Sequence, residues 1–336
     1  MYLISPKQKQ YKANLHSHSI FSDGKKSPEE LKEMYKSQGY SILSITDHET
    51  PKNHQYLNDE EFLTITGYEA YIRNNKNAIF DRYGKEIHLN LFAKTPENET
   101  YICFNPQYCK YMTEEQIATL VKAGSEKPRE YSVKYINDFI NTAKENGYIV
   151  SYNHPWWSME DEKDILAYDG FFSMEMCNYS SYVTSRLEYN AAIYDKMLKQ
   201  GKRIFCHSAD DNHNTNPNDS PKFDSFGAFT MIMPESFTYD SVIKAMENGQ
   251  MYSSMGPVFK EMSVDGNLVH VECSNVERIM MFTGSKAPKC KYADFGETIT
   301  SADFEIDPNF EYIRISVADC YGRFADTRGY FKDELQ

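Results

Sequence analysis

The sequence predicts an α/β barrel followed by a small β domain, and three observations carry that expectation. The chain has 336 residues, more than one hydrophobic core of ordinary size holds. Through about residue 255, short apolar runs alternate with amphipathic stretches of helical period, the pattern of a parallel sheet with crossover helices; after Gly256-Pro257 the pattern changes to strand alternation. Finally, nine imidazole and carboxylate side chains, His16, His18, Asp23, His48, Glu69, His88, His154, Asp211 and His213, fall at or near the ends of predicted strands. Only a fold that gathers strand ends unites them. The expected division is a barrel over 1–255, with 94–130 as an excursion over its mouth, and a β-sandwich-like domain over 256–336.

The first strand is expected at 11–15. Ser27, Pro28, Glu29 and Glu30 then supply an N-cap, a proline at the first helical position and early acids for a helix ending near Gly39. Further strands are expected at 41–46, 62–66, 87–92, 148–152, 171–175, 203–206 and 226–231, with helices between them at 132–146, 181–199 and 239–248. The stretch 94–130, rich in tyrosine and carrying Cys103 and Cys109, interrupts the rhythm, and a lid and mere decoration explain it equally well. In the second part, 259–264 and 268–273 flank Asp265-Gly266 as a hairpin, and 312–318 and 323–330 flank a turn at Tyr321-Gly322 as another.

Composition narrows the function. A formal net charge of -13, with no basic stripe interleaved with aromatics, argues against long nucleic acid as a partner. No apolar run approaches the length that spans a bilayer, so no membrane partner is expected. The first residues lack the charge and apolar run of a secretory signal, and the seven cysteines form no CxxC pair, so a cytoplasmic protein with reduced thiols is expected. KDEL at 332–335 is not expected to act as an endoplasmic-reticulum retention signal, because Gln336 follows it, and a frayed acidic tail is the expected reading. A small phosphorylated molecule remains compatible with the acidic composition, since bound divalent cations make a site locally positive. Oligomeric state is left open.

His16 and His18 are two apart at a strand end, so both imidazoles face one side, and Asp211 and His213 repeat the spacing. A lone HxH is common by chance, but the same coincidence would have to recur at Asp23, His48, Glu69, His88 and His154. The pieces LHSHSIFSDG, ITDHE, GYE around Glu69, IHLNLF around His88, YNHP around His154 and SADDNHN together resemble the PHP family, the polymerase and histidinol phosphatase superfamily of metal-dependent hydrolases. The resemblance covers roughly residues 11–255 and fills all nine ligand positions of the family. A second likeness, in GQMYSSMGPVFKEMSVDG and YGRFADTRGYF, is to the branch called CehA/McbA-like metallohydrolases.

The resemblance implies a distorted (β/α)7 TIM-like barrel with two or three divalent cations, zinc, manganese or iron, at the C-terminal ends of its strands. By that likeness His16, His18, Glu69 and Asp211 hold the first ion, Glu69 bridges to a second held by His88 and His154, and Asp23, His48 and His213 hold a third. Glu69, His18 and Asp211 then act catalytically through a metal-bridged hydroxide. The leading expectation is a phosphoesterase acting on a small phosphorylated metabolite. The alternatives are a hydrolase of carboxyl esters, carbamates or amides using the same cluster, and a metal-binding module without activity. Outside the nine, Asp47 either orients His48 or is a solvent-exposed turn residue, and Asp210 is read as a turn or supporting residue. Trp156 and Trp157 either wall the substrate or pack at the rim. Arg186 is an anion clamp or a solvated helix residue, and His207 is a substrate contact or a buried core histidine.

Overall fold

The strand ends carrying the nine side chains belong to one twisted mixed sheet. The computed structural model describes residues 1–74 and 84–335. Across this part of the sheet the order is Phe205–Ala209, Ser173–Asn178, Tyr148–Tyr152, Glu86–Ala93, Leu63–Arg73, Ile42–Ile45, Tyr11–Asn14 and Phe229–Ile232. Ile42–Ile45, Glu86–Ala93 and Tyr148–Tyr152 are buried at every residue, as strands covered on both faces are. Ser27 and Glu30 form a reciprocal capping box at the start of Pro28–Ser37, which buries Leu31 and Tyr35. Val133–Glu145 buries Ile136, Phe139, Ile140 and Ala143, one face of a 3.6-residue period, each large side chain contributing roughly 1.5–3 kcal/mol. No helix among the described residues is long and apolar enough to cross a membrane.

Three features depart from the expected barrel. Glu86–Ala93 runs antiparallel to both of its neighbours, and Phe229–Ile232 runs antiparallel to Tyr11–Asn14, so the sheet is mixed rather than parallel. Among the described residues no backbone ladder closes the ring. Between Phe205–Ala209 and Phe229–Ile232 the link is a side chain: Thr230 Oγ1 accepts from Ser208 N at 3.2 Å and donates to Ser208 O at 2.8 Å, beside a register shift at His207/Ser208. The helix expected over 181–199 is broken in two. A short turn at Tyr179–Ser181 runs into a π-helical Tyr182–Arg186, Leu187 turns left-handed at φ 52°, and the helix proper is Ala191–Lys199.

Beyond Phe229–Ile232 the same sheet continues through Met251–Ser254, Phe324–Thr327, Tyr312–Ala318, Arg278–Phe282 and Lys289–Tyr292. A second, four-stranded sheet contains Tyr2–Ile4, Phe259–Asp265, Leu268–Val276 and Ile299–Glu305. Both expected hairpins are present, the first turning at Gly266 with φ 57°. Val264, Val271, Ile279, Ile315 and Val317 are buried in the core these strands share. Tyr2–Ile4, not expected as a strand, pairs with Phe259–Asp265. Arg314, 1% exposed, donates to Asp195 of Ala191–Lys199 at 2.6 and 2.7 Å and to Asp326 at 3.0 Å. All seven cysteines are free thiols.

Candidate metal centre

Backbone hydrogen bonds lace the ligand-bearing loops together. His18 N donates to Asn212 O at 3.0 Å, Asp211 N to His16 O at 2.9 Å, and Glu49 N to Glu69 O at 2.8 Å. Asp47 accepts from Ser19 N at 2.7 Å, Ser19 Oγ at 2.5 Å and Ser22 Oγ at 2.6 Å. It therefore fixes the loop leading to Asp23 rather than orienting His48. Asp210 accepts from Tyr35 Oη and from the amides of Phe226, Gly227 and Ala228, while Asp224 accepts from His213 N at 2.8 Å. His154 and Asp211 hold left-handed backbone, φ 26° and 53°, strain of the kind found where a site over-determines its geometry.

The fold brings all nine side chains together around Glu69. Glu69 Oε1 lies 3.1 Å from His16 Nε2, 3.0 Å from His88 Nδ1 and 3.3 Å from His154 Nε2; Oε2 lies 2.9 Å from His48 Nδ1 and 3.5 Å from His18 Nε2. Asp211 Oδ1 stands 3.1 Å from His16 Nε2 and 2.9 Å from His18 Nε2. Asp23 lies 3.5 to 3.7 Å from His213 Nε2, His18 Nδ1 and His48 Nε2. Donor atoms converge in three groups: His16, His18, Glu69 and Asp211; His18, Asp23, His48 and His213; and His48, Glu69 and His88. The first is the set the family resemblance implies for one ion. The second adds His18 to the expected third set, and the last holds His48 where the resemblance places His154.

These groups fit divalent cations. Glu69 Oε2 and His48 Nδ1 are buried without a hydrogen-bond partner, although they lie only 2.9 Å apart. Close approach without hydrogen-bond geometry is how ligand atoms aimed at a common third body sit, and a buried polar atom left unmatched costs about 1–3 kcal/mol. Titration behaviour carries the same message. Burial opposes a charged His16, yet Asp211, Glu69 and Glu175 outweigh it and raise its pKa well above the ordinary value. His88 is pushed up to about 10, Glu69 and Glu86 overcoming burial, whereas burial with His213 and His48 nearby lowers His18 to about 4. The carboxylates draw positive charge into the cluster. Imidazole with carboxylate ligation suits zinc, manganese or iron.

The cluster opens into a cavity of about 330 Å³. Its wall includes Tyr71, Arg73, Glu86, Trp157, Ser180, Ser181 and Thr184, and the 94–130 excursion supplies Tyr108, Lys110 and Tyr111. The excursion is thus part of the site wall. A buried ion pair ties it down: Arg129 binds both oxygens of Glu49, the neighbour of His48, and Tyr101 Oη donates to the same carboxylate at 2.5 Å. The Trp157 ring sits 5.0 Å from that of His88 and 4.9 Å from that of His154. The three expected substrate contacts lie elsewhere. Trp156, 51% exposed, lines a separate groove with Met159 and Ile193; Arg186 is not part of the cavity wall; His207 is buried with Nδ1 3.0 Å from Ser173 Oγ.

Two carboxylates that touch the cluster escaped the sequence reading. Glu175 Oε1 is 2.7 Å from His16 Nδ1, and Glu86 Oε1 is 3.0 Å from His88 Nε2. Both carried a signal: Glu175 ends an expected strand, and Glu86 stands two residues from His88, on the same strand face.

A family model described as PHP domain matches residues 14–104, a span holding six of the nine side chains. No curated protein matches the chain. Among solved structures, a two-domain protein from Bacteroides vulgatus, described as containing a predicted PHP-like metal-dependent phosphoesterase, is similar at 13% identity over 98% of this chain and 88% of its own, with TM-score 0.46. An inferred metal-dependent phosphoesterase from Bifidobacterium adolescentis is similar at 14% identity over 71% of this chain and 96% of its own, TM-score 0.40. An amidohydrolase from Chromobacterium violaceum, solved with sulfate and no metal, is similar at 13% identity with the same coverages and TM-score.

Proposed function

We propose that this protein is a metal-dependent hydrolase of the PHP type, a phosphoesterase acting on a small phosphorylated molecule. The observation supporting this most directly is the gathering of nine ligand-type side chains, Glu69 among them and in contact with five histidines, beside one cavity. His16, His18, Glu69 and Asp211 would hold one cation, Glu69 with His88 and His154 a second, and Asp23, His48 and His213 a third. When bound, such cations lower the pKa of water far enough to supply hydroxide near neutral pH and take up charge on the attacked centre. The chain's own residues shape the remainder. Lys110 adds a positive charge to the wall, which favours an anionic phosphoryl group over a neutral ester, whereas the charge of Arg73 is matched by Glu86. Ser180 offers a hydroxyl donor, and Tyr71, Tyr111 and Trp157 line the approach to the cluster.

The test is a hydrolysis screen of metal-analysed protein against phosphomonoesters, phosphodiesters, and nitrophenyl esters, carbamates and amides, with His16→Ala alongside. Metal-dependent turnover of phosphoesters that His16→Ala abolishes is expected. Turnover confined to carboxyl compounds would reassign the scissile bond, and turnover unchanged in His16→Ala would remove the cluster from the chemistry.

A further inference from the structure

We infer that two carboxylates outside the nine, Glu175 and Glu86, are positioning residues that fix which ring nitrogen each of two histidines presents to the cations, and that they impose opposite choices: Nε2 for His16 and Nδ1 for His88. The inference rests on the metal-binding reading above and deepens it.

A neutral imidazole has one protonated nitrogen and one lone pair. An ionised carboxylate only accepts, so the nitrogen facing a carboxylate outside the cluster retains its proton and the opposite nitrogen becomes the ligand atom. On His16, Nδ1 faces Glu175 Oε1 at 2.7 Å, and Nε2 lies 3.1 Å from both Glu69 Oε1 and Asp211 Oδ1. On His88 the polarity is reversed: Nε2 faces Glu86 Oε1 at 3.0 Å, while Nδ1 lies 3.0 Å from Glu69 Oε1. Neither Glu175 nor Glu86 belongs to the three converging donor groups. Among the six cluster imidazoles, only these two contact a carboxylate from outside the nine among the described residues.

Each carboxylate is held in place. Glu175 is fully buried, and its Oε2 accepts from His154 N at 2.8 Å and Asn178 Nδ2 at 2.9 Å, so one side chain registers His16 against the His154 loop. Glu86 is clamped by Arg73, whose Nε and Nη2 donate at 2.6 and 3.0 Å. A histidine ligand backed in this way is both oriented and more basic, and losing the partner typically weakens metal binding about 10–100-fold.

The test uses the full chain labelled with ¹⁵N at histidine and loaded with Zn²⁺. Long-range ¹H–¹⁵N correlation should show His16 protonated at Nδ1 and His88 at Nε2. Zn²⁺ affinity, measured by chelator competition, should fall about 10–100-fold in Glu175→Gln and in Glu86→Gln. It should not change in Glu160→Gln, a half-buried carboxylate held by Tyr131, Tyr152 and Tyr168 away from the cluster. If Glu175→Gln does not fold, Glu175→Asp and Glu86→Gln carry the test with the same expected loss. Parental affinity in the variants, or the same tautomer on both rings, overturns the inference while leaving the metal reading intact. Failure of the parent protein to bind Zn²⁺, Mn²⁺ or Fe²⁺ overturns both.

Discussion

At the scale of single residues, His54 shows what burial without a partner does. It is 2% exposed, neither ring nitrogen has a hydrogen-bond partner, and desolvation lowers its pKa to about 4. In the unfolded chain its pKa is about 6.5, so between these values the unfolded state takes up a proton that the folded state refuses. The folded state therefore loses stability as pH falls from about 6.5 towards 4, by about 3 kcal/mol in all. His54→Leu removes the titration, and urea unfolding at pH 7 and pH 4.5 should show the variant losing less stability on acidification than the parent. An equal loss in both would refute this account. The cluster residues were readable for the opposite reason. The spacings His16/His18 and Asp211/His213 were readable because ligand-type residues recur at so many other strand ends, whereas Glu175, a single acid at the end of an expected strand, offered a signal too weak to separate an imidazole partner from water.

At the scale of elements, the 94–130 excursion depends on Arg129. Its guanidinium pairs with Glu49, donates to Tyr71 O at 2.7 Å, and lies 4.3 Å from the centre of the Tyr108 ring. Arg129→Ala leaves Glu49 buried and unpaired, and a loss of about 3–5 kcal/mol in unfolding free energy is expected. The double variant Arg129→Met with Glu49→Gln should recover part of that loss, because no charge is stranded; no recovery would mean that packing, not the ion pair, holds the excursion. Sequence could not settle lid against decoration, because the pairing of residue 49 with residue 129 is a tertiary fact. The broken helix at 182–190 has a similar origin. Periodicity runs through it, but Glu188 turns inward to accept from Trp156 N at 2.9 Å, Trp157 N at 3.1 Å and Ser181 Oγ at 2.7 Å, and helical propensity yields to those bonds.

At the scale of the molecule, the two parts are fastened by three independent features: the shared sheet, the strand Tyr2–Ile4 seated against Phe259–Asp265, and the Arg314 network. Arg314→Ala strands Asp326, which is 1% exposed, and about 3–5 kcal/mol of destabilisation is expected. Urea unfolding should remain one transition in the parent and separate towards two in the variant; two well-resolved transitions in the parent would show that the halves are uncoupled. The change of pattern after Gly256 was legible because a strand-rich segment alternates with period two. The clasp of Tyr2–Ile4 was not, since three residues carry little pattern and their partner lies more than 250 positions away.

The chain has two tryptophans, Trp156 and Trp157, and both follow His154 after a single proline, Pro155. One indole lies against two cluster imidazoles and the other faces the neighbouring groove, 51% exposed. All tryptophan emission from this protein therefore originates beside the candidate site. A bound paramagnetic ion, or a ligand displacing water at Trp157, is reported by the intrinsic fluorescence of the unlabelled chain.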